Sequence, residues 1–253
     1  MSKQTVISAK HLKKSFGKGE SVQVIYSDLN IDIYKGDFTV IMGSSGAGKS
    51  TLMYSLSGMD KPDGGEICFD GTDITKLSSD KLAVFRRKQC GFVFQQIYLI
   101  DKMSLMDNVI AAGVLTSKDR EDIKKRAGEL FDLVNIPEKT RRKNSSQISG
   151  GEAQRAGIVR AVINSPNVLF ADEPTGALNS ANSAAVLDVF TSLHDKGQSI
   201  VMVTHDKKSA LRGNRIIYIK DGKIFGECDL GKYEQDNTER TEKLDKFIKE
   251  MGW

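Results

Sequence analysis

Long apolar runs are missing from this chain of 253 residues. No window approaches the roughly 18 uninterrupted apolar residues of a membrane helix, so any membrane role would come through a partner. The opening stretch, MSKQTVISAKHLKKS, lacks the apolar core of a secretion signal. Cysteine is scarce: Cys68, Cys90 and Cys228 are odd in number and show no metal-ligand spacing, the pattern expected of reduced cytosolic thiols. A dominant charge is also absent. Lysine and arginine total 37 against 33 acidic residues, a net charge of +4 spread along the chain, so no nucleic-acid partner is expected. There is no internal repeat and no low-complexity segment. His11 and His194 lie outside any motif and read as surface histidines.

What is present alternates between strand and helix, in a chain long enough to bury a substantial core. VQVIYSDLNIDI reads as β structure, with period-2 patterning from Leu29 to Ile33. FTVIM is a short apolar strand, and the helical run KSTLMYSLSG comes after it, beyond a glycine loop. KPDGGEICFDG is a turn into another strand. Residues 104–134 read as mostly helical, with Ile123, Ala127, Leu130, Phe131 and Val134 at helical spacing. NVLFA, NSAAVLDVFTSLHDKG and SIVMV then alternate strand, helix and strand, and RIIYI and KIFGE close the core. The pattern predicts an α/β domain with a helical insertion.

Between FTVIM and its helix lies GSSGAGKS, which fits the G-x-x-x-x-G-K-[ST] spacing. Gly43, Ser44, Ser45, Gly46, Ala47 and Gly48 would wrap a nucleotide's phosphates with backbone N–H groups. Lys49 would reach the outer phosphates, the Ser50 hydroxyl would bind Mg²⁺, and Thr51 would belong to the same nucleotide-binding set. An apolar strand before the loop and a helix after it are the setting this chemistry needs. VLFADEP ends a second core strand at Asp172, a candidate Mg²⁺ ligand. Glu173, next in the chain, could take the proton from an attacking water. Gln95 after GFVF and His205 after SIVMVT are two more polar residues at strand ends, His205 alternatively a satisfied core histidine. Finally QISGGEAQRAG places two glycines behind Ser149 at a second helix start, an anion site with no lysine of its own.

Taken together, GSSGAGKS, FVFQ, ISGGEAQR, FADEPTGAL and VTHD stand in the order and spacing of the ATP-binding subunits of ABC transporters, which the chain resembles over nearly its whole length. The resemblance implies a P-loop NTPase core with an N-terminal antiparallel β subdomain and an inserted α-helical subdomain. Residues 1–230 would be the ATPase, with 1–95 and 160–230 as core and 96–159 as helical insert, and 231–253 an amphipathic helical tail. It implies ATP and Mg²⁺ as cofactors and a head-to-tail homodimer. Ser149, Gly150, Gly151 and Glu152 of one copy would then complete the site around ATP held by the other copy's phosphate loop. Gln95 would join Ser50 and Asp172 at the metal and sense the γ-phosphate and a permease. His205 would position the γ-phosphate and water, and Phe16 would stack on adenine.

Two positions depart from the family's usual pattern. Glu152 replaces the common Gln, and S-x-x-E at a helix start is a capping box, which explains the carboxylate structurally. Asn179 replaces an Asp in the loop that links the two ATP sites, and an amide can make many of the same hydrogen bonds. Within the family, ADEPTGAL is most similar to lipoprotein-releasing, macrolide-exporting and antimicrobial-peptide-resistance systems. That subgroup implies an ATPase on the cytoplasmic face of a bacterial membrane, driving a separate integral permease. A soluble ABC ATPase of the iron–sulfur assembly type and a regulatory nucleotide switch are the rival readings. In the charged tail, Leu244, Phe247, Ile248 and Met251 share one helical face, expected to dock on its own domain or dimer mate, with a permease contact as the alternative.

Overall fold

A computed structural model of the chain describes residues 3–253. In chain order the elements begin with β1 (Thr5–Phe16), β2 (Gln23–Tyr34), β3 (Phe38–Gly43), α1 (Lys49–Leu56), β4 (Gly64–Phe69), β5 (Thr72–Asp73) and α2 (Ser79–Gln89). Next come β6 (Cys90–Phe94), α3 (Leu105–Gly113), α4 (Arg120–Leu133), α5 (Glu138–Arg141), α6 (Gly150–Val162), β7 (Val168–Asp172) and α7 (Ser180–Asp195). The chain closes with β8 (Ser199–Val203), α8 (Lys207–Ala210), β9 (Arg215–Lys220), β10 (Lys223–Asp229) and α9 (Thr238–Glu250). They pack as two units, one running to Ala83 and resuming at Gly197, the other Val84–Lys196.

In the first unit β3 runs parallel to both β8 and β9, and β10 pairs antiparallel with β9. Every residue of β3 and of β8 is buried, which is why both read as unbroken apolar runs rather than alternating ones. A second sheet in this unit is antiparallel, in the order β2-β1-β4-β5.

The sequence pattern does not reveal β1, which lies inside that second sheet. The register of β1 on β2 shifts between Ala9 and Leu12 and again between Leu12 and Lys14, and His11 at the shift has φ 53°. Each slip turns the following side chains to the other face, so the period-2 signature disappears although Ile7, Ala9 and Leu12 are all buried. Helix α2 is hidden for a different reason: none of its residues is buried, so no apolar stripe marks it.

The tail helix α9 buries Leu244, Phe247 and Ile248 within the first unit. A side chain on Gly226 of β10 would strike Met251 at 2.7 Å and Phe247 at 3.2 Å, so helix and strand meet at glycine. The guanidinium of Arg240 donates to the carbonyls of Leu211 (2.9 Å), Leu230 (2.7 Å) and Gly231 (3.0 Å). It also lies over the Tyr233 ring, 5.6 Å from the centroid. Lys207 of α8 forms an ion pair with Asp245.

The second unit pairs β6 with β7 in parallel, Phe94 opposite Asp172. Helix α6 packs on α3, α4, β6 and α7. The apolar positions read at helical spacing largely become its core, with Ile123, Ala127, Phe131 and Val134 buried. Among the described residues no helix is long and apolar enough to cross a membrane.

Candidate functional site

The first unit holds the phosphate loop. Strand β3 stops at Gly43, whose φ is 149° and whose missing side chain would strike the carbonyl of Ile219 at 2.1 Å. Gly48, at φ 91°, is the N-cap of α1, and a side chain there would strike Ile25 at 2.6 Å. Only glycine fits either position. Gly48 offers no side-chain cap to α1, and no acidic residue sits in the helix's first turn. The helix start therefore carries its positive end toward whatever the loop encloses. Lys49 Nζ donates to the carbonyls of Gly43 (2.9 Å) and Ser44 (2.7 Å), which holds the ammonium against the loop.

Parallel pairing brings His205 to the same end of the sheet. Ile41 lies opposite Val203, and the chain reaches Gly43 and His205 two residues further along. Thr204 N–H donates to the Ile41 carbonyl (3.3 Å), and Asp206 caps α8 through Ser209 N–H (2.7 Å). His205 is exposed, so it is not a core histidine. Phe16, the last residue of β1, is 47% exposed.

The second unit gathers the acidic residues. Phe94 pairs with Asp172, so Gln95 and Glu173 leave β6 and β7 side by side. A side chain on Gly176 would meet Gln95 Nε2 at 3.0 Å, which places the glutamine against the turn where Gly176 N–H donates to the Glu173 carbonyl (3.0 Å). Glu173 has φ 45°, a left-handed backbone for a non-glycine residue. Pro174 next to it disfavours the right-handed helical alternative. Such a conformation costs about 1 to 3 kcal/mol and persists where surrounding structure enforces it, most often at functional sites.

Ser149 caps α6 through a complete capping box. Its Oγ accepts from Glu152 N–H (3.2 Å), and the Glu152 carboxylate accepts from both Ser149 N–H (2.8 Å) and the Ser149 hydroxyl (2.9 Å). The Ser149 backbone N–H is the main cause holding the Glu152 carboxyl below the usual carboxylate range. Ser149 and Gly150 are exposed, whereas Gly151 is buried against α7, where a side chain would strike the Asn182 amide oxygen at 2.5 Å. Asn179 caps α7 by accepting from Asn182 N–H (3.0 Å).

Sequence-predicted residues thus fall into two groups. Residues 43–51, His205 and Phe16 lie in the first unit; Gln95, Asp172, Glu173 and residues 149–152 lie in the second. Two further residues position the second group, Gln154 within the ISGGEAQR stretch but with no role read from it, and Arg160 outside every motif. Gln154, buried on α6, donates to the Phe94 carbonyl (3.0 Å), and Arg160 donates to the carbonyls of Ile97 (2.6 Å) and Tyr98 (2.5 Å). Together they fix the segment around Gln95 from the helix that Ser149 opens. Their roles are not readable from sequence, because their partners are backbone carbonyls some sixty residues away. Among the described residues no cluster of three or more His, Cys, Asp or Glu is placed to hold a metal. Within the second unit the Gln95 amide and the Asp172 carboxylate, at the ends of paired strands, offer hard oxygen donors of the kind Mg²⁺ accepts.

Comparison with known proteins identifies the family. The family described as ABC transporter matches residues 26–176. An ABC transporter ATP-binding protein of Methanocaldococcus jannaschii, MJ1508, is 39% identical over 87% of this chain and 97% of its own length. A macrolide export ATP-binding/permease protein, MacB of Mannheimia succiniciproducens, is 39% identical over 92% of this chain, which spans only 36% of that longer protein. Among solved structures, the dimeric, post-hydrolysis ATP-binding cassette MJ0796 bound to ADP and phosphate is 35% identical, with a TM-score of 0.81 over 88% of this chain and 98% of that one.

Proposed function

This chain belongs to the ABC transporter family as an ATP-binding, ATP-hydrolysing cassette, and on that basis we propose that two copies close head to tail around two ATP to drive a separate membrane permease. Each nucleotide is held by residues 43–51 of one copy and by Ser149, Gly150, Gly151 and Glu152 of the other. The observation that carries this reading is the contrast between two helix starts: α1, lysine-bearing and without a side-chain cap, and α6, serine-capped and exposed. The first suits a polyanion on its own, and the second suits the edge of a phosphate already bound elsewhere.

Phe16 stacks on adenine, and Lys49 neutralises the outer phosphates. Glu173 takes the proton from the attacking water, with His205 holding that water and the γ-phosphate. Mg²⁺, held by Ser50, Asp172 and Gln95, would neutralise charge on the phosphate oxygens. Residues 96–159 form the helical insert that meets the permease, and Gln95 reports the γ-phosphate to it. Similarity to macrolide export proteins supports a substrate that is a peptide, lipid or drug-like molecule, handled by export, resistance or mechanical transmission at the cytoplasmic face of a membrane.

Purification of the tagged chain from detergent-solubilised cells tests the permease assignment. An integral membrane protein should accompany it and stimulate ATP turnover. Full turnover with no membrane companion would instead favour a soluble cassette, and ATP-driven dimerisation without turnover a nucleotide switch.

A further inference from the structure

Lys14 is buried, with only 7% of its surface exposed, although it sits two residues before the end of a strand that finishes at exposed Phe16. A buried ammonium must have its charge and its donors satisfied. Its Nζ donates to Asp60 Oδ1 (2.8 Å) and to the Lys61 carbonyl (2.8 Å). Those two bonds use two of three N–H groups. The Phe16 ring lies over the ammonium, 5.0 Å from Nζ to the ring centroid, within cation–π range. A cation on one face of the ring leaves the opposite face for a planar ligand.

The segment that supplies Asp60 is itself anchored. Met59 and Asp60 N–H both donate to the Tyr54 carbonyl on α1 (2.8 and 3.1 Å). Asp63 accepts from the Ser15 N–H (2.6 Å) and hydroxyl (2.7 Å), and its own N–H donates to the Lys13 carbonyl (2.7 Å). The buried Tyr26 hydroxyl on β2 bonds Ser55 Oγ on α1 (2.7 Å). Helix α1 starts at the phosphate loop, so one continuous set of contacts runs from that loop to the Phe16 ring.

We infer that Lys14, held by Asp60, is a positioning residue for the Phe16 ring, so that it governs affinity for the nucleotide's base rather than for its phosphates. The inference rests on the stacking role proposed for Phe16. A lysine that merely stabilised the fold would weaken base and phosphate binding alike; a positioning lysine separates them.

The test compares dissociation constants of the full chain for ATP and for inorganic tripolyphosphate. Lys14→Met should weaken ATP binding about two- to fivefold, the scale of one cation–π contact, and leave tripolyphosphate unchanged. Lys14→Arg, which keeps a cation beneath the ring, should recover most of the loss. In a Phe16→Ala background Lys14→Met should add nothing for ATP. If Phe16→Ala weakens ATP binding while Lys14→Met does not, or if Lys14→Met weakens both ligands equally, the inference is overturned with the stacking role intact. Unchanged ATP affinity in Phe16→Ala would remove the stacking role and the inference with it. Should Lys14→Met fail to fold, Asp60→Ala serves instead: the side chain is partly exposed, its removal takes away the carboxylate that holds the ammonium beneath the ring, and an ATP-selective loss is expected. Parental ATP affinity in that variant would likewise overturn the inference.

Discussion

The two helix starts, at Gly48 and at Ser149, are built from similar residues and handle their backbone donors in opposite ways. Gly48 caps α1 in a left-handed conformation with no side-chain hydrogen bond and no acidic residue in the first turn. Ser149 caps α6 with its own hydroxyl, and Glu152 closes the box from the other side. The first start keeps its positive end for a ligand and adds Lys49. The second commits part of its donor capacity to its own side chains and places a carboxylate beside them. Glycines at a helix start therefore do not by themselves specify affinity. On the proposed head-to-tail reading the difference implies an order of events: ATP would bind at the Gly48 end, and the Ser149 end would engage only a phosphate already in place.

The largest expected effect isolates the second start by stopping chemistry. Glu173→Gln should slow hydrolysis by about 10² to 10⁴, the worth of a positioned base, while ATP still binds and an ATP-bound dimer accumulates in sizing experiments. Near-normal turnover would remove Glu173 from that role. Next comes Lys49→Ala, which breaks the first start. A lost hydrogen bond to a charged group, about 1.5 to 3 kcal/mol, corresponds to roughly 10- to 150-fold weaker ATP binding by a single chain. An unchanged dissociation constant would place the lysine outside the phosphate site. Ser149→Ala should leave that single-chain affinity unchanged but abolish ATP-driven dimerisation, with a loss of about 1 kcal/mol in stability from the missing cap.

Glu152→Gln has the smallest effect, since an amide can still accept from Ser149 N–H, and its signature is in pH. The Glu152 carboxyl is lowered in the folded state. Its contribution to stability is therefore present above the ordinary carboxylate range and is lost as pH falls through the lowered value. Thermal unfolding of the Glu152→Gln variant, compared with the parent, should show a flatter acid limb; identical acid limbs would mean the carboxylate adds nothing as a charge.

What the sequence reveals differs by region for physical reasons. The buried parallel strands β3, β7 and β8 are readable because strands covered on both faces must be continuously apolar. The loop at residues 43–50 is readable because close backbone approach at Gly43, and a left-handed backbone against the Ile25 side chain at Gly48, admit nothing but glycine. The Ser149–Glu152 box announces itself by spacing alone. By contrast β1 hides its alternation behind register shifts, and α2 has no buried face to leave a pattern. Gln154, Arg160 and Lys14 act through backbone carbonyls, a carboxylate and a ring that are brought to them only by folding. The left-handed backbone at Glu173 is equally silent in the sequence, since glutamate carries no preference for it.

Close packing at Gly151 bears on how pairing across a dimer can be probed. A carboxylate introduced there would collide with Asn182 before it met any phosphate, so a defect would not be specific. Ser149→Asp is better, because aspartate caps a helix as well as serine does and would set a negative charge where the proposed closure brings the γ-phosphate. The decisive measurement is ATP trapping by a mixture of two chains, one with Lys49→Ala and one with Ser149→Asp, both carrying Glu173→Gln. Each homodimer has two defective sites and should trap nothing. In the mixed dimer the intact loop of one chain faces the intact Ser149 end of the other, so the mixture should trap ATP and dimerise. If mixing rescues no trapping while both chains remain folded, the two helix starts do not complete each other across a dimer, and head-to-tail closure is contradicted.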